Sequence, residues 1–100
     1  MTKQEFRNYL SGGIHFLDGA TGSNLMLLGM PKGCCAEKWI LEHPQPLIAL
    51  QQGYAQAGSD IIYAPTFQAN PIALEKEGLA DKTEEINARL IALSRQAAPD

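Results

Sequence analysis

The sequence predicts an α/β fold in which about two βα units follow an N-terminal helix. Two short apolar runs, residues 14–17 and 60–64, end in turn-forming residues and are typical of buried strands. Helical patterns with a 3.6-residue apolar period surround these runs. Because helices separate the two strands along the chain, we expect the strands to lie parallel in one sheet.

The first helix and the first strand are predicted from short patterns. Phe6 and Leu10 have an i, i+4 spacing, which predicts an amphipathic helix over residues 4–10. Ser-Gly-Gly at 11–13 ends this helix, because glycine terminates regular structure. The strand over residues 14–17 follows directly.

Loop residues dominate the next part of the chain. The small residues of 18–24 predict a loop that begins with Asp-Gly. We expect a helical turn over residues 25–28 and, because of its prolines and Gly33, an irregular segment over residues 30–46.

The second half carries the longer helices. A helix is predicted from Pro46 to Ala57, with Gly58 as the residue that ends it. The second strand, residues 60–64, then runs to Pro65. The apolar face of this helix consists of Leu47, Leu50, Tyr54 and Ala57.

Two further helices complete the pattern. Asn70 is predicted to cap a helix over residues 70–77, with a proline at its first position. Asp81 and Glu84 predict a capping box for the last helix, which Pro99 ends. Two strands cannot cover this helix, so we expect a larger α/β domain or a second chain to complete the fold. Its apolar stripe consists of Ile86, Leu90, Leu93 and Ala97.

The composition narrows the class of protein. Apolar residues are 45% and charged residues 19% of 100 residues, with a net charge of −3, which predicts one globular domain. Scattered basic residues argue against nucleic-acid or membrane-surface binding. The sequence has neither an apolar run of ~20 residues nor a signal-peptide pattern, so we expect a cytoplasmic protein.

Residues suited to ligand binding follow both predicted strands at their carboxyl ends, where α/β proteins bind ligands. The carboxylate of Asp18 is suited to an ammonium group, and the backbone N–H groups after Gly19 are suited to a carboxylate. Thr66 and Phe67 occupy the equivalent place as a hydrogen-bond donor and an apolar wall. From these residues alone, an ordinary Asp-Gly turn and a Pro-Thr turn with a core phenylalanine remain alternatives.

The adjacent thiols of Cys34 and Cys35 are a candidate zinc site. Zinc requires four ligands, and neither His15 nor His43 stands at a ligand spacing. We therefore interpret the cysteines as unmetallated thiols in a loop and His15 as a packed strand residue. Trp39 is interpreted as a loop residue anchored against the core.

Four segments resemble the homocysteine S-methyltransferase family, which includes the homocysteine module of cobalamin-dependent methionine synthase and betaine–homocysteine methyltransferase. LDGATGS at 17–23 is similar to LDGAMGT, and YAQAGSDII at 54–62 is similar to YxxAGADII. TFQAN at 66–70 is similar to the end of TNTFGAN, and EIN at 85–87 to the start of the next family helix. Their order and spacing make the resemblance specific over residues 16–98.

The resemblance implies that residues 1–100 are the incomplete, N-terminal portion of a homocysteine-binding (β/α)₈ TIM barrel. It implies an enzyme that transfers a methyl group to the thiol of homocysteine, giving methionine. Asp18 and Gly19 would hold the amino-acid end of homocysteine, and Thr66 and Phe67 would line its pocket. Family members use zinc to hold the substrate thiolate, and a cobalamin methyl donor is one option.

The zinc cysteines of the family correspond to positions beyond residue 100. We therefore predict no catalytic residue or metal ligand in this chain, and expect the isolated 100 residues to be inactive. In place of the family's Glu-Thr-Asn the chain has Tyr-Ala-Pro at 63–65, which removes polar groups at the strand end.

Two other functions stay open. The first is a non-catalytic α/β module that binds a small ligand, or a partner chain through the exposed face of its last helix. The second, a dinucleotide-binding half-domain, is weaker because no G-x-G-x-x-G follows the first strand.

Overall fold

The computed structural model of the protein describes residues 2–98. These residues form helices and no sheet. Of the described residues, 61% are helical and 2% lie in β-bridges. The predicted α/β fold is therefore wrong: this part of the chain forms no sheet and no βα units of a (β/α)₈ barrel.

Within the described residues, the two segments predicted to be strands pair in one β-bridge and not in a ladder. Leu17 and Ile61 form an isolated parallel bridge, at which the Asp18 N–H donates to the Ile61 carbonyl at 3.1 Å. A helix makes its backbone hydrogen bonds within one segment, whereas a strand needs partners from others. Ile14 and Phe16, predicted to be buried, are 86% and 65% exposed. Their apolar pattern alone therefore does not produce a sheet.

Helix α1, Lys3–Ser11, confirms the first predicted helix. A capping box begins it, because the Thr2 side chain accepts from the Glu5 N–H while the Glu5 carboxylate accepts from the Thr2 N–H. Helix α2, Gly22–Leu27, extends the predicted helical turn toward the N-terminus.

The segment predicted to be irregular contains a helix and the start of another. Helix α3 is Ala36–Glu42, and helix α4 is Pro44–Ala57. Pro44 and Pro46 lie in the first turn of α4, where a missing N–H costs nothing and the fixed φ suits a helix. These prolines therefore begin a helix instead of preventing one.

The predicted ends of two helices are confirmed. Gly58 ends α4 with a left-handed φ of 115°, which glycine adopts without strain. Helix α5 is Pro71–Glu75, and the Asn70 side chain caps it by accepting from the Ala73 N–H at 2.9 Å.

The last helix, α6, is Thr83–Ala97 and follows a 3₁₀ turn over Ala80–Lys82. Asp81, predicted to cap the helix, lies inside that turn, so this prediction is wrong. Pro99, predicted to end the helix, lies outside the described residues. The predicted stripe is confirmed, with Ile86, Leu90 and Ala97 buried and Leu93 packed against the core.

The core lies between helices. Helix α6 packs on α4 and α3, so its apolar stripe is covered by helices and not by a sheet. Within residues 2–98, none of these helices has both the length and the apolar character needed to cross a bilayer. The core cluster contains Leu25, Met30, Ile40, Leu47, Ala69, Leu74, Ile86 and Leu90.

Candidate functional site

A cavity of about 450 Å³ lies beside the segment that follows the second extended run. We call residues 63–68 of this segment the 63–68 loop. The opposite walls come from α2 and α3. The volume is within the range of small-molecule pockets. The lining residues include Thr21, Leu25, Cys34, Glu37, Ile40, Tyr63, Pro65 and Phe67.

Asp18 is half-buried and does not line this cavity, but it is bound to Tyr63, which does. Its Oδ1 accepts a hydrogen bond of 3.4 Å from the Tyr63 N–H, at the start of the 63–68 loop. The cavity wall itself is formed by its neighbours Thr21 and Tyr63. Asp18 is therefore more than a residue of an isolated turn, because its hydrogen bond connects residues 18–20 to the 63–68 loop.

Gly19 packs directly against the ring of Tyr54, a residue of α4. A Cβ atom at Gly19 would lie 2.9 Å from the Tyr54 hydroxyl oxygen. That hydroxyl donates to the Ala20 carbonyl at 2.7 Å, and the same carbonyl accepts from the Asn24 amide at 2.8 Å. The Asn24 amide also donates to the Tyr54 hydroxyl at 3.2 Å. Two helices therefore hold the loop over residues 18–20 in place.

Thr66 and Phe67 lie in the 63–68 loop but are placed differently. The Thr66 N–H donates to the Ala64 carbonyl at 2.9 Å, which closes a tight turn. Phe67 lines the cavity and is 93% exposed. The alternative of a core phenylalanine is therefore wrong, and the ring stands at the rim of the cavity.

Sequence reasoning missed two buried polar residues at this site. Glu37 and Gln51 are 3% and 0% exposed. The Glu37 Oε2 accepts from the Gln68 N–H at 2.6 Å, and the Gln51 amide donates to the Tyr63 carbonyl at 3.0 Å. A signal was present for Gln51, which stands four residues after Leu47 on the apolar face of α4.

Sequence reasoning also missed the polar role of Tyr54 and Asn24. Tyr54 was assigned to the apolar face of its helix from its spacing alone. A partly buried tyrosine usually finds a hydrogen-bond partner for its hydroxyl, which was the available signal. Asn24 carries no comparable signal, because its partner Tyr54 is 30 residues away along the chain.

The described residues do not fit a zinc site. Cys34 is exposed and Cys35 is half-buried, and neither is in a disulfide. Residues 2–98 bring no three His, Cys, Asp or Glu side chains together in a metal-binding group. Zinc with ligands outside this chain stays a prediction.

The interpretations of His15 and Trp39 also change. His15 lies in a strandless segment, stacked on Tyr9 with ring centroids 3.9 Å apart, so its description as a packed strand residue is wrong. Trp39 packs against the core as expected, but from helix α3 and not from a loop.

A comparison with protein families gives one match that covers most of the chain. The family model described as homocysteine S-methyltransferase matches residues 15–100. The matched region includes the loop over residues 18–20, the 63–68 loop and the helices that hold them. Helix α1 lies before it.

Proposed function

Because this chain belongs to the homocysteine S-methyltransferase family, we propose that it binds homocysteine as the acceptor of a methyl group. The observation that carries the proposal is the link between Asp18 and the 63–68 loop beside a cavity of about 450 Å³. The two segments predicted to bind the substrate are far apart in sequence and are joined by this hydrogen bond, and Tyr63 and Phe67 of the second segment line the cavity. A methyltransferase of this family requires such a pocket for a small amino acid.

The residues divide the substrate between a polar and an apolar part. The Asp18 carboxylate pairs with the ammonium group, and the backbone N–H groups after Gly19 face the carboxylate of homocysteine. Phe67, exposed at the cavity rim, covers the aliphatic chain of the substrate and excludes water from it. Thr66 supplies a hydroxyl beside it.

Binding and orientation are the part of the reaction that we assign to these residues. In methyl transfer the homocysteine thiol loses its proton, and the sulfur then forms a bond to the methyl carbon. The bond from that carbon to the donor breaks, and the donor keeps the electron pair. Holding the sulfur in line with this bond lowers the entropic cost of the reaction. Thiol activation and the methyl donor are assigned to groups outside the described residues.

We also propose that residues 1–100 are the N-terminal portion of a larger homocysteine-binding domain. Large apolar side chains that a complete domain would cover are exposed. Leu27 is 84%, Ile72 82% and Ile14 86% exposed. Exposed apolar area of this kind is typical of an interface with further protein.

The alternative of a non-catalytic module has less support. Its partner was expected to bind the exposed face of the last helix. Ile86 and Leu90 of that face are only 4% and 0% exposed, because α3 and α4 cover them. The surface on which this alternative depends is therefore already occupied.

Asp18→Asn tests the proposed function. The asparagine can still accept the Tyr63 N–H, so the loop is retained while the charge is lost. In the protein that carries this chain, homocysteine affinity measured by calorimetry should fall roughly ten- to a hundredfold, since a charge-assisted hydrogen bond contributes about 1.5–3 kcal/mol. Asp81→Asn, in the exposed 3₁₀ turn, is the matched control and should leave affinity unchanged. Equal affinities for both variants would contradict the proposal.

A further inference from the structure

Two buried polar side chains hold the same loop from two different helices. Among the described residues, the buried polar or charged side chains are Glu37 of α3 and Gln51 of α4. Gln51 binds the backbone of Tyr63, where the 63–68 loop begins, and Glu37 binds the backbone of Gln68, where it ends. The anchors therefore lie at the two ends of the segment that carries Thr66 and Phe67.

The stability of the core does not explain these two residues. Burial of a polar group is unfavourable unless its hydrogen bonds are made. Within the described chain, the Oε1 atoms of Glu37 and Gln51 are buried without a hydrogen-bond partner. An apolar side chain of similar size at either position would avoid this cost. What the polar side chains add is a fixed position for the loop backbone.

The position of Phe67 depends on these anchors. Its side chain is 93% exposed, so packing does not hold the ring over the cavity. The backbone of the loop must do so. At the start of the loop both backbone groups of Tyr63 are bound, the N–H by Asp18 and the carbonyl by Gln51. At the end, the Gln68 N–H is bound by Glu37 in a bond of 2.6 Å.

We propose that Glu37 and Gln51 are positioning residues that hold the two ends of the 63–68 loop, and so place Phe67 and Thr66 against the bound substrate. The inference rests on the proposed function in one respect, the identity of the substrate. The clamping of the loop itself is a separate property and can be measured without a ligand.

Glu37→Met and Glu37→Gln form the test, because methionine removes the acceptor whereas the glutamine carbonyl keeps it. Glu37→Met should accelerate hydrogen exchange at the Gln68 amide about tenfold and weaken homocysteine binding by a similar factor. Glu37→Gln should restore most of both properties. Ile86→Val, a buried change in α6, is the control that lowers the melting temperature without changing either measurement.

The outcomes separate the two proposals. If the unaltered protein does not bind homocysteine, the proposed function fails, and Gln68 exchange still decides whether Glu37 holds the loop. Unchanged Gln68 exchange in Glu37→Met would overturn the clamp, as would an equal loss of affinity in Ile86→Val. If Glu37→Met does not fold, Gln51→Met gives the same test at the other end. There, the chemical shift of the Tyr63 carbonyl carbon should change because its hydrogen bond from Gln51 is lost, and homocysteine affinity should fall; no change in either would overturn the clamp.

Discussion

Gly19→Ala tests whether the candidate binding loop is held by its contact with Tyr54. A Cβ atom at Gly19 would lie 2.9 Å from the hydroxyl oxygen, 3.0 Å from Cε1 and 3.2 Å from Cζ of that ring. The φ angle of Gly19 lies outside the left-handed region, so the backbone accepts alanine. The expected cost therefore comes from the crowded ring and not from backbone strain.

The magnitude depends on how far Tyr54 can move. Its hydroxyl donates to the Ala20 carbonyl at 2.7 Å and accepts from the Asn24 amide at 3.2 Å. A shift of the ring that relieves the clash weakens these bonds, each of which contributes about 0.5–1.5 kcal/mol. Overpacking costs about 1–3 kcal/mol, and side-chain atoms yield more easily than backbone. We expect a loss of about 1–2 kcal/mol, or roughly 4–8 °C in melting temperature for each kcal/mol.

A double-mutant cycle with Tyr54→Phe identifies the cause. Phenylalanine removes the nearest atom and frees the ring to tilt, so Gly19→Ala should cost at least about 0.5 kcal/mol less in that background. Thermal unfolding of the four proteins measures this coupling. Gly53→Ala in α4 is the matched control: a Cβ there meets nothing within 4 Å, and alanine should stabilise the helix by about 0.5–1 kcal/mol. Equal costs of Gly19→Ala in both backgrounds would refute the assigned contact.

Three further outcomes are expected. Phe67→Ala should leave the melting temperature unchanged because the side chain is 93% exposed. The substitution should weaken homocysteine binding in a calorimetric titration, and unaltered affinity would show that Phe67 does not contact the substrate. Asn70→Ala should destabilise the protein by about 1 kcal/mol in denaturant unfolding, because the cap that accepts from Ala73 is lost; a change below a few tenths of a kcal/mol would contradict this. Isolated residues 1–100 should not methylate homocysteine, and zinc-dependent turnover abolished by replacing Cys34 and Cys35 with serine would show that expectation to be wrong.

Local sequence patterns predicted helices correctly where the interactions that form them are local. The i, i+4 pair Phe6 and Leu10 predicted α1, and Asn70 predicted the cap of α5. The apolar stripe of α6 was also correct, because it follows from the helix period alone. The same reasoning failed at Pro44, where a residue that breaks a helix interior begins a helix at its first turn.

The candidate binding site was anticipated in part. Asp18 and Phe67 were predicted from their place after apolar runs; the structure binds Asp18 to Tyr63 at the start of the 63–68 loop, and Phe67 of that loop lines the cavity. Glu37, Gln51 and Tyr54 were not found as polar partners, because each bonds a backbone or side-chain group more than ten residues away. Sequence spacing contains no direct measure of such contacts.

The family and most of the helices follow from the amino-acid sequence, because motif order and helix periodicity are properties of neighbouring residues. Whether the two apolar runs become a sheet depends instead on contacts between distant segments. A strand requires a ladder of backbone partners from another segment, and within residues 2–98 the runs form one β-bridge, Leu17–Ile61. The helices satisfy their own backbone and bury their stripes against one another, so they form the core while Ile14 and Phe16 stay exposed.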